Sequence, residues 1–113
     1  MIDEDAALRQ ALSFSLGLEG YRVETFAATP TFFARLRAGA AEAVIMGHAA
    51  PAIDALALIE LVRGLFPDIV MVVTATHPSA DLRRKAEQSG ALLIEKPLLD
   101  DDLVDTLRAA LTR

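Results

Sequence analysis

The sequence has no cysteine and no tryptophan, and aromatic residues make up only 5% of it. Without thiols there are no disulfides and no thiolate zinc sites, a usage that suits a cytoplasmic protein. With so few rings the core must be built from aliphatic side chains. Basic residues are in deficit: 11 Lys and Arg stand against 16 Asp and Glu, a net charge of -5. That balance argues against direct, sequence-independent nucleic-acid binding, which relies on cations neutralising phosphates. No apolar run is long enough to span a bilayer, so no membrane association is expected, and the acidic opening Met1-Ile2-Asp3-Glu4-Asp5 is unlike a signal peptide. Repeats, low-complexity stretches and linkers are also missing.

What is present is a chain of 113 residues, 53% of them hydrophobic, enough for one core and too few for two. A single domain over residues 1–113 is expected. Leu8, Leu12 and Leu16, spaced four apart behind an acidic start, predict a helix from about Ala6 to Glu19, stopped by Gly20. Tyr21 to Phe26 alternates and reads as a strand, half-buried or at an edge. Thr29-Pro30 offers a cap and a first-turn proline for a helix carrying Phe32, Phe33 and Leu36 up to Gly39.

Ala43 to Met46 reads as a buried strand that breaks at Gly47. Asp54 can cap a helix whose Leu58, Leu61, Val62 and Leu65 face a core, with Pro67 beyond its end. Ile69 to Val73, five consecutive apolar residues followed by Thr74, is the strongest strand signal. Ser79 caps a polar helix ending at Gly90, Ala91 to Ile94 forms a further strand closed by Glu95-Lys96-Pro97, and Asp100 caps a last helix with Leu103, Leu107 and Leu111 inward.

Strands alternating with helices over short connections predict an α/β fold, a parallel sheet with helices on both faces. Sites in such sheets form outside the carboxyl ends of the strands. Those ends carry Asp3 and Glu4, Gly47, Thr74 and Lys96, so two acids, a hydroxyl and an ammonium converge on one crevice.

The segments Ile2-Asp3-Glu4-Asp5-Ala6-Ala7-Leu8-Arg9, Pro51-Ala52-Ile53-Asp54, Val73-Thr74-Ala75 and Glu95-Lys96-Pro97, in this order and spacing, resemble the receiver domain of two-component response regulators over nearly the whole chain. The resemblance implies a doubly wound, five-stranded, flavodoxin- or CheY-like sheet of order 2-1-3-4-5. It also implies a site in which an aspartate accepts a phosphoryl group, an acidic pair holds Mg²⁺, and a hydroxyl and a lysine contact the phosphoryl oxygens. By position Asp3 and Glu4 fall on the metal acids, Thr74 on the hydroxyl, Lys96 on the lysine, and Pro97 on the proline that usually follows a cis peptide.

The acceptor position falls on Gly47, which has no side chain to react. The resemblance therefore implies a degenerate, or pseudo, receiver acting by protein contact. Leu93 stands where a switching aromatic is usual, and Ala55 where a glycine is common. Two carboxylates without a third make a weak Mg²⁺ site, so no cofactor is expected. Lys96, lacking a phosphoryl group to bind, is expected to pair with Asp3 or Glu4.

Only Met1 and Ile2 precede Asp3, where the family has four or five apolar residues, so either the start is truncated or the central strand is short. This shortened first strand is expected to leave the sheet less stable or open to exchange with a neighbouring chain. The fourth helix, fifth strand and fifth helix commonly dock partners in receivers. Here that face would carry Arg83, Arg84 and Lys85 against Asp101, Asp102, Asp105 and Arg108, charges suited to a homodimer or a protein partner. A sensor kinase and an attached output domain of a transcriptional regulator are further implied relations.

His48 and His77 read as loop residues without a metal-site spacing. An alternative resemblance is to haloacid-dehalogenase-like phosphatases, Mg²⁺-dependent enzymes in which Asp3 would be the nucleophile and the acid two positions on a general acid.

Overall fold

The computed structural model describes residues 1–98 and 101–112. Its elements are helix α1 (Ala6–Leu18), α2 (Thr29–Arg37), strand β1 (Ala43–Gly47), α3 (Ala55–Leu65), β2 (Val70–Ala75), α4 (Ala80–Ser89), β3 (Leu92–Glu95) and α5 (Asp102–Leu111), and they alternate as the sequence predicts from β1 onward. The three strands form one parallel sheet in the order β1-β2-β3, with Gly47 opposite Thr74 and Thr74 opposite Ile94.

The helix starts follow local chemistry. Asp5, Asp54 and Ser79 each accept a hydrogen bond from a first-turn backbone N–H, from Leu8, Leu56 and Leu82 respectively. Helix α4 ends on Gly90 at φ 74°, a left-handed position that a side chain would strain. Two caps differ from expectation. Helix α2 begins after Ala28, because Thr29 is already helical and Pro30 supplies the preset φ. The N-cap position of α5 is Asp101, whose side chain makes no capping hydrogen bond, and Asp100 lies outside the described residues.

Two cores flank the sheet. Ile2, Val44, Met46, Met71 and Val73 pack with Phe32, Leu36, Leu58, Val62 and Leu82 on one face; Ile45 and Val72 pack with Leu16, Leu103, Val104 and Leu107 on the other. Leu61 and Leu65, expected to face the core, are about half exposed. The stripe of α3 is instead set by Ala55, Leu58, Ile59 and Val62, and at 100° per residue that turns Leu61 and Leu65 outward.

The expected five-stranded ladder is not formed as such. Residues 21–26 are extended but unladdered, and Ile2 makes single parallel bridges to Phe26 on one side and Met46 on the other. Each pairing is a single bridge: the Ile2 N–H and carbonyl bond Ile45 and Gly47, the Met1 carbonyl and the Asp3 N–H bond Phe26, and the chain then turns at Asp3 towards α1. A gap is left between the two walls, 22–26 and 43–45.

Candidate functional site

The crevice forms at the carboxyl ends of β1, β2 and β3 and is completed by the turn after Ile2. Asp3 is 1% exposed, and its backbone N–H donates to Phe26 O at 3.1 Å. Both carboxylate oxygens are engaged: Oδ1 accepts the Asp5 N–H at 2.9 Å and Oδ2 accepts Lys96 Nζ at 2.8 Å. Arg9 Nη1 donates to the Asp3 carbonyl at 2.6 Å, tying α1 to the same turn. A carboxylate this far from water is tolerated because an ammonium and an amide replace its hydration.

Gly47 sits against this carboxylate. A Cβ built on Gly47 would lie 2.1 Å from Asp3 Oδ2 and 2.7 Å from its Cγ. The space a side chain at 47 would enter is thus taken by Asp3. Thr74, 1% exposed, is the neighbour of Gly47 across the ladder, and its carbonyl accepts the His48 N–H at 2.8 Å. Lys96 follows β3, its N–H donating to Ala75 O at 2.8 Å, and the peptide to Pro97 is cis.

Of the residues singled out from the sequence, Asp3, Gly47, Thr74 and Lys96 come together here. Glu4 does not join the buried cluster; it is exposed at the start of α1. Sequence reasoning missed His48: its Nδ1 accepts the Ala55 N–H at 3.1 Å, which fastens the loop after β1 to the first turn of α3. The only available signal was its place one residue after the strand. Asp54 caps α3 through the Leu56 N–H at 3.1 Å.

Of the charges expected on the docking face, the four cations and Asp105 are paired within the chain. Arg83 bonds Glu95, Arg84 bonds Asp81, and Lys85 bonds Glu60. Arg108 bonds Glu19 at 2.7 Å and Asp105 at 3.5 Å, and the Glu19 hydrogen bond pushes the guanidinium pKa up. Among the described residues no three acids or histidines gather as a metal site, and no helix is long and apolar enough to cross a membrane.

The fold is that of CheY-like response regulator receiver domains. The receiver domain from Methanospirillum hungatei superposes with a TM-score of 0.91 at 22% identity, over 98% of this chain and 90% of that one. The beryllofluoride-activated NtrC4 receiver domain dimer gives 0.87 at 24% identity, over 96% and 91%. No protein family profile matches the chain.

In sequence the chain is 36% identical over 111 residues to the C4-dicarboxylate transport transcriptional regulatory protein DctD of Rhizobium meliloti, covering 97% of this chain. It spans about a quarter of that relative's length, 24%. These similarities support a receiver domain of the two-component class and give the phosphatase alternative no support. Asp5, which that alternative needs as a general acid, spends its carboxylate on the Leu8 N–H at 3.2 Å.

Proposed function

We propose that this receiver domain is a signalling module that acts through protein contacts and takes no phosphoryl group at position 47. The observation that carries this reading is the Asp3 carboxylate lying 2.1 Å from where a Cβ of residue 47 would be. A carboxylate nucleophile is missing, its space is filled, and the lysine that would meet phosphoryl oxygens is held by Asp3. Asp54 is no substitute, since its carboxylate is committed to the α3 cap.

The family's Mg²⁺ does not fit these residues. Asp3 has both oxygens occupied, Glu4 points to solvent, and the third carboxylate is absent. Output then depends on partner concentration or self-association. The receiver would sit within a transcriptional regulator, with a sensor kinase as a docking partner and not a phosphoryl donor. The face of α4, β3 and α5 is the proposed contact, although its Arg83, Arg84 and Arg108 must exchange in-chain partners to serve it.

The test is intact mass after incubation with Mg²⁺ and a small phosphoryl donor, run beside Gly47→Asp. The native chain is expected to show no adduct. An adduct on the native chain that survives in Asp54→Asn and vanishes in Asp3→Asn would replace this reading with one in which Asp3 is phosphorylated.

A further inference from the structure

Helix α1 is apolar on two opposite sides. Its inner side carries Leu12 and Leu16, which pack in the core with Leu103 and Leu107. Its outer side carries Ala7, Ala11, Phe14 and Leu18, all exposed; Phe14 at 69% and Leu18 at 74% are the most exposed large hydrophobic side chains among the described residues. At 3.6 residues per turn these four fall within about 60° of arc, opposite Leu16. A surface helix of a globular domain normally covers that side with charge. Helices α4 and α5 do so, with Arg83 and Arg84 exposed on one and Asp102 and Asp105 on the other. The one charged residue within α1 is Arg9, which donates to the Asp3 carbonyl at 2.6 Å.

The steps along the stripe, four, three and four residues, are those of a helix-pairing seam. Its sizes are graded, with the two alanines first and the two large side chains last. Lay two copies of α1 antiparallel about a two-fold axis midway between Leu12 and Ser13, and Ala7 comes level with Leu18 and Ala11 with Phe14. Every large side chain then meets a small one, as close packing requires. A parallel pair sets Phe14 against Phe14 and leaves a void between the alanines. Charge selects the same direction. The amino end of α1 exposes Glu4 and Asp5; beyond its carboxyl end lie exposed Glu19, Arg22 and Arg108, a net positive set. Glu4 and Arg22 make no ion pair among the described residues. Antiparallel pairing brings each acidic end, with its helix dipole, to the basic end of the other copy, whereas parallel pairing puts Glu4 beside Glu4.

We infer that α1 is a self-association surface, on which a second copy of this chain docks antiparallel across Ala7, Ala11, Phe14 and Leu18. The contact is isologous, and the graded stripe is self-complementary as a two-fold axis demands. The 13 residues of α1 give a helix pair about 20 Å long. With axes about 8–10 Å apart, such a pair covers less than the roughly 1,200 Å² of a standard interface. The dimer is therefore weak and concentration-dependent, with a Kd on the order of 100 μM. This surface is separate from the face of α4, β3 and α5, and its argument does not rest on how position 47 is read.

The test is sedimentation equilibrium of the 113-residue chain from micromolar to millimolar concentration, where a passage from monomer to dimer is expected. Phe14→Asp changes a side chain already in water, so the variant should keep the parent's urea midpoint and stay monomeric at millimolar concentration. Ala11→Phe, which sets ring against ring, should weaken the dimer roughly tenfold. The swapped chain, Ala11→Phe with Phe14→Ala, should regain it, because a large side chain again faces a small one. Glu4→Arg should weaken the dimer and Arg22→Glu in the same chain should restore it. A parent chain that stays monomeric at millimolar concentration would overturn the proposal and leave the stripe to a different polypeptide. A dimer that survives Phe14→Asp but is lost in Arg83→Glu with Arg84→Glu would overturn it in favour of α4, β3 and α5. A swapped chain that is folded by circular dichroism yet fails to recover would overturn the antiparallel pairing. None of these results bears on phosphorylation at position 47.

Discussion

The carboxylate of Asp3 and the α-carbon of Gly47 are complementary in shape: the acid occupies the volume that any side chain at 47 would need. Gly47→Ala is therefore expected to destabilise the domain by about 2 kcal/mol through forced displacement of a buried, doubly bonded carboxylate. In an Asp3→Ala background most of that penalty should vanish. Chemical denaturation of the four chains measures the coupling.

Lys96 is the only side-chain cation bonded to the Asp3 carboxylate among the described residues. Its replacement by methionine leaves a buried carboxylate without a counter-charge, at a cost of about 3 kcal/mol. The double variant Asp3→Asn with Lys96→Met should recover more than half of this. If the single and double variants were equally unstable, the pair would contribute nothing specific.

In a chain whose amino terminus is Met1, burial lowers the pKa of that ammonium to about 6 from the ordinary 8.0. Between those values the unfolded chain binds more protons, so stability should rise as pH increases from 6 to 8 and level off above. The gain from this group is at most about 2.7 kcal/mol, the free energy of a pKa displaced this far. Acetylating the amino group should flatten the slope, as read by urea midpoints across the range.

His48 and Arg63 hold loops that no sequence motif marks. His48→Ala leaves the Ala55 N–H unpaired in a fully buried residue, and a loss of about 1–2 kcal/mol is expected. His48→Asn, with an acceptor at similar reach, should lose less. Arg63 donates to Ser89 O at 2.9 Å and to Pro67 O and Ile69 O at 2.8 Å, clamping the end of α3 to that of α4. Arg63→Met should cost about 2 kcal/mol by thermal melting, with the three carbonyls left to water.

The helices and the central strands were legible because apolar spacing and caps such as Asp54 and Ser79 act over a few residues. The crevice was legible too, since strand ends converge once a parallel sheet is assumed, and the Lys96–Asp3 pair follows from charge at that point. Three features were not. The outward turn of Leu61 and Leu65 depends on which of two overlapping stripes on α3 meets the sheet. The roles of His48 and Arg63 depend on loop paths. The unladdered state of residues 21–26 depends on tertiary pairing, here a single bridge from Phe26 to Ile2, which period-two alternation within the segment cannot reveal.

The Lys96–Asp3 bond joins residues 93 positions apart. A growing chain makes Asp3 93 residues before its counter-ion, so the acid must wait, solvated, while β1 and β2 are synthesised. Closing so long a loop costs little more than closing a moderate one, because the entropy grows only logarithmically with length. The bond therefore works as a completion signal: until β3 is in place and Lys96 arrives, burying Asp3 is unfavourable, and a fragment that ends short of residue 96 has reason to keep its first turn open.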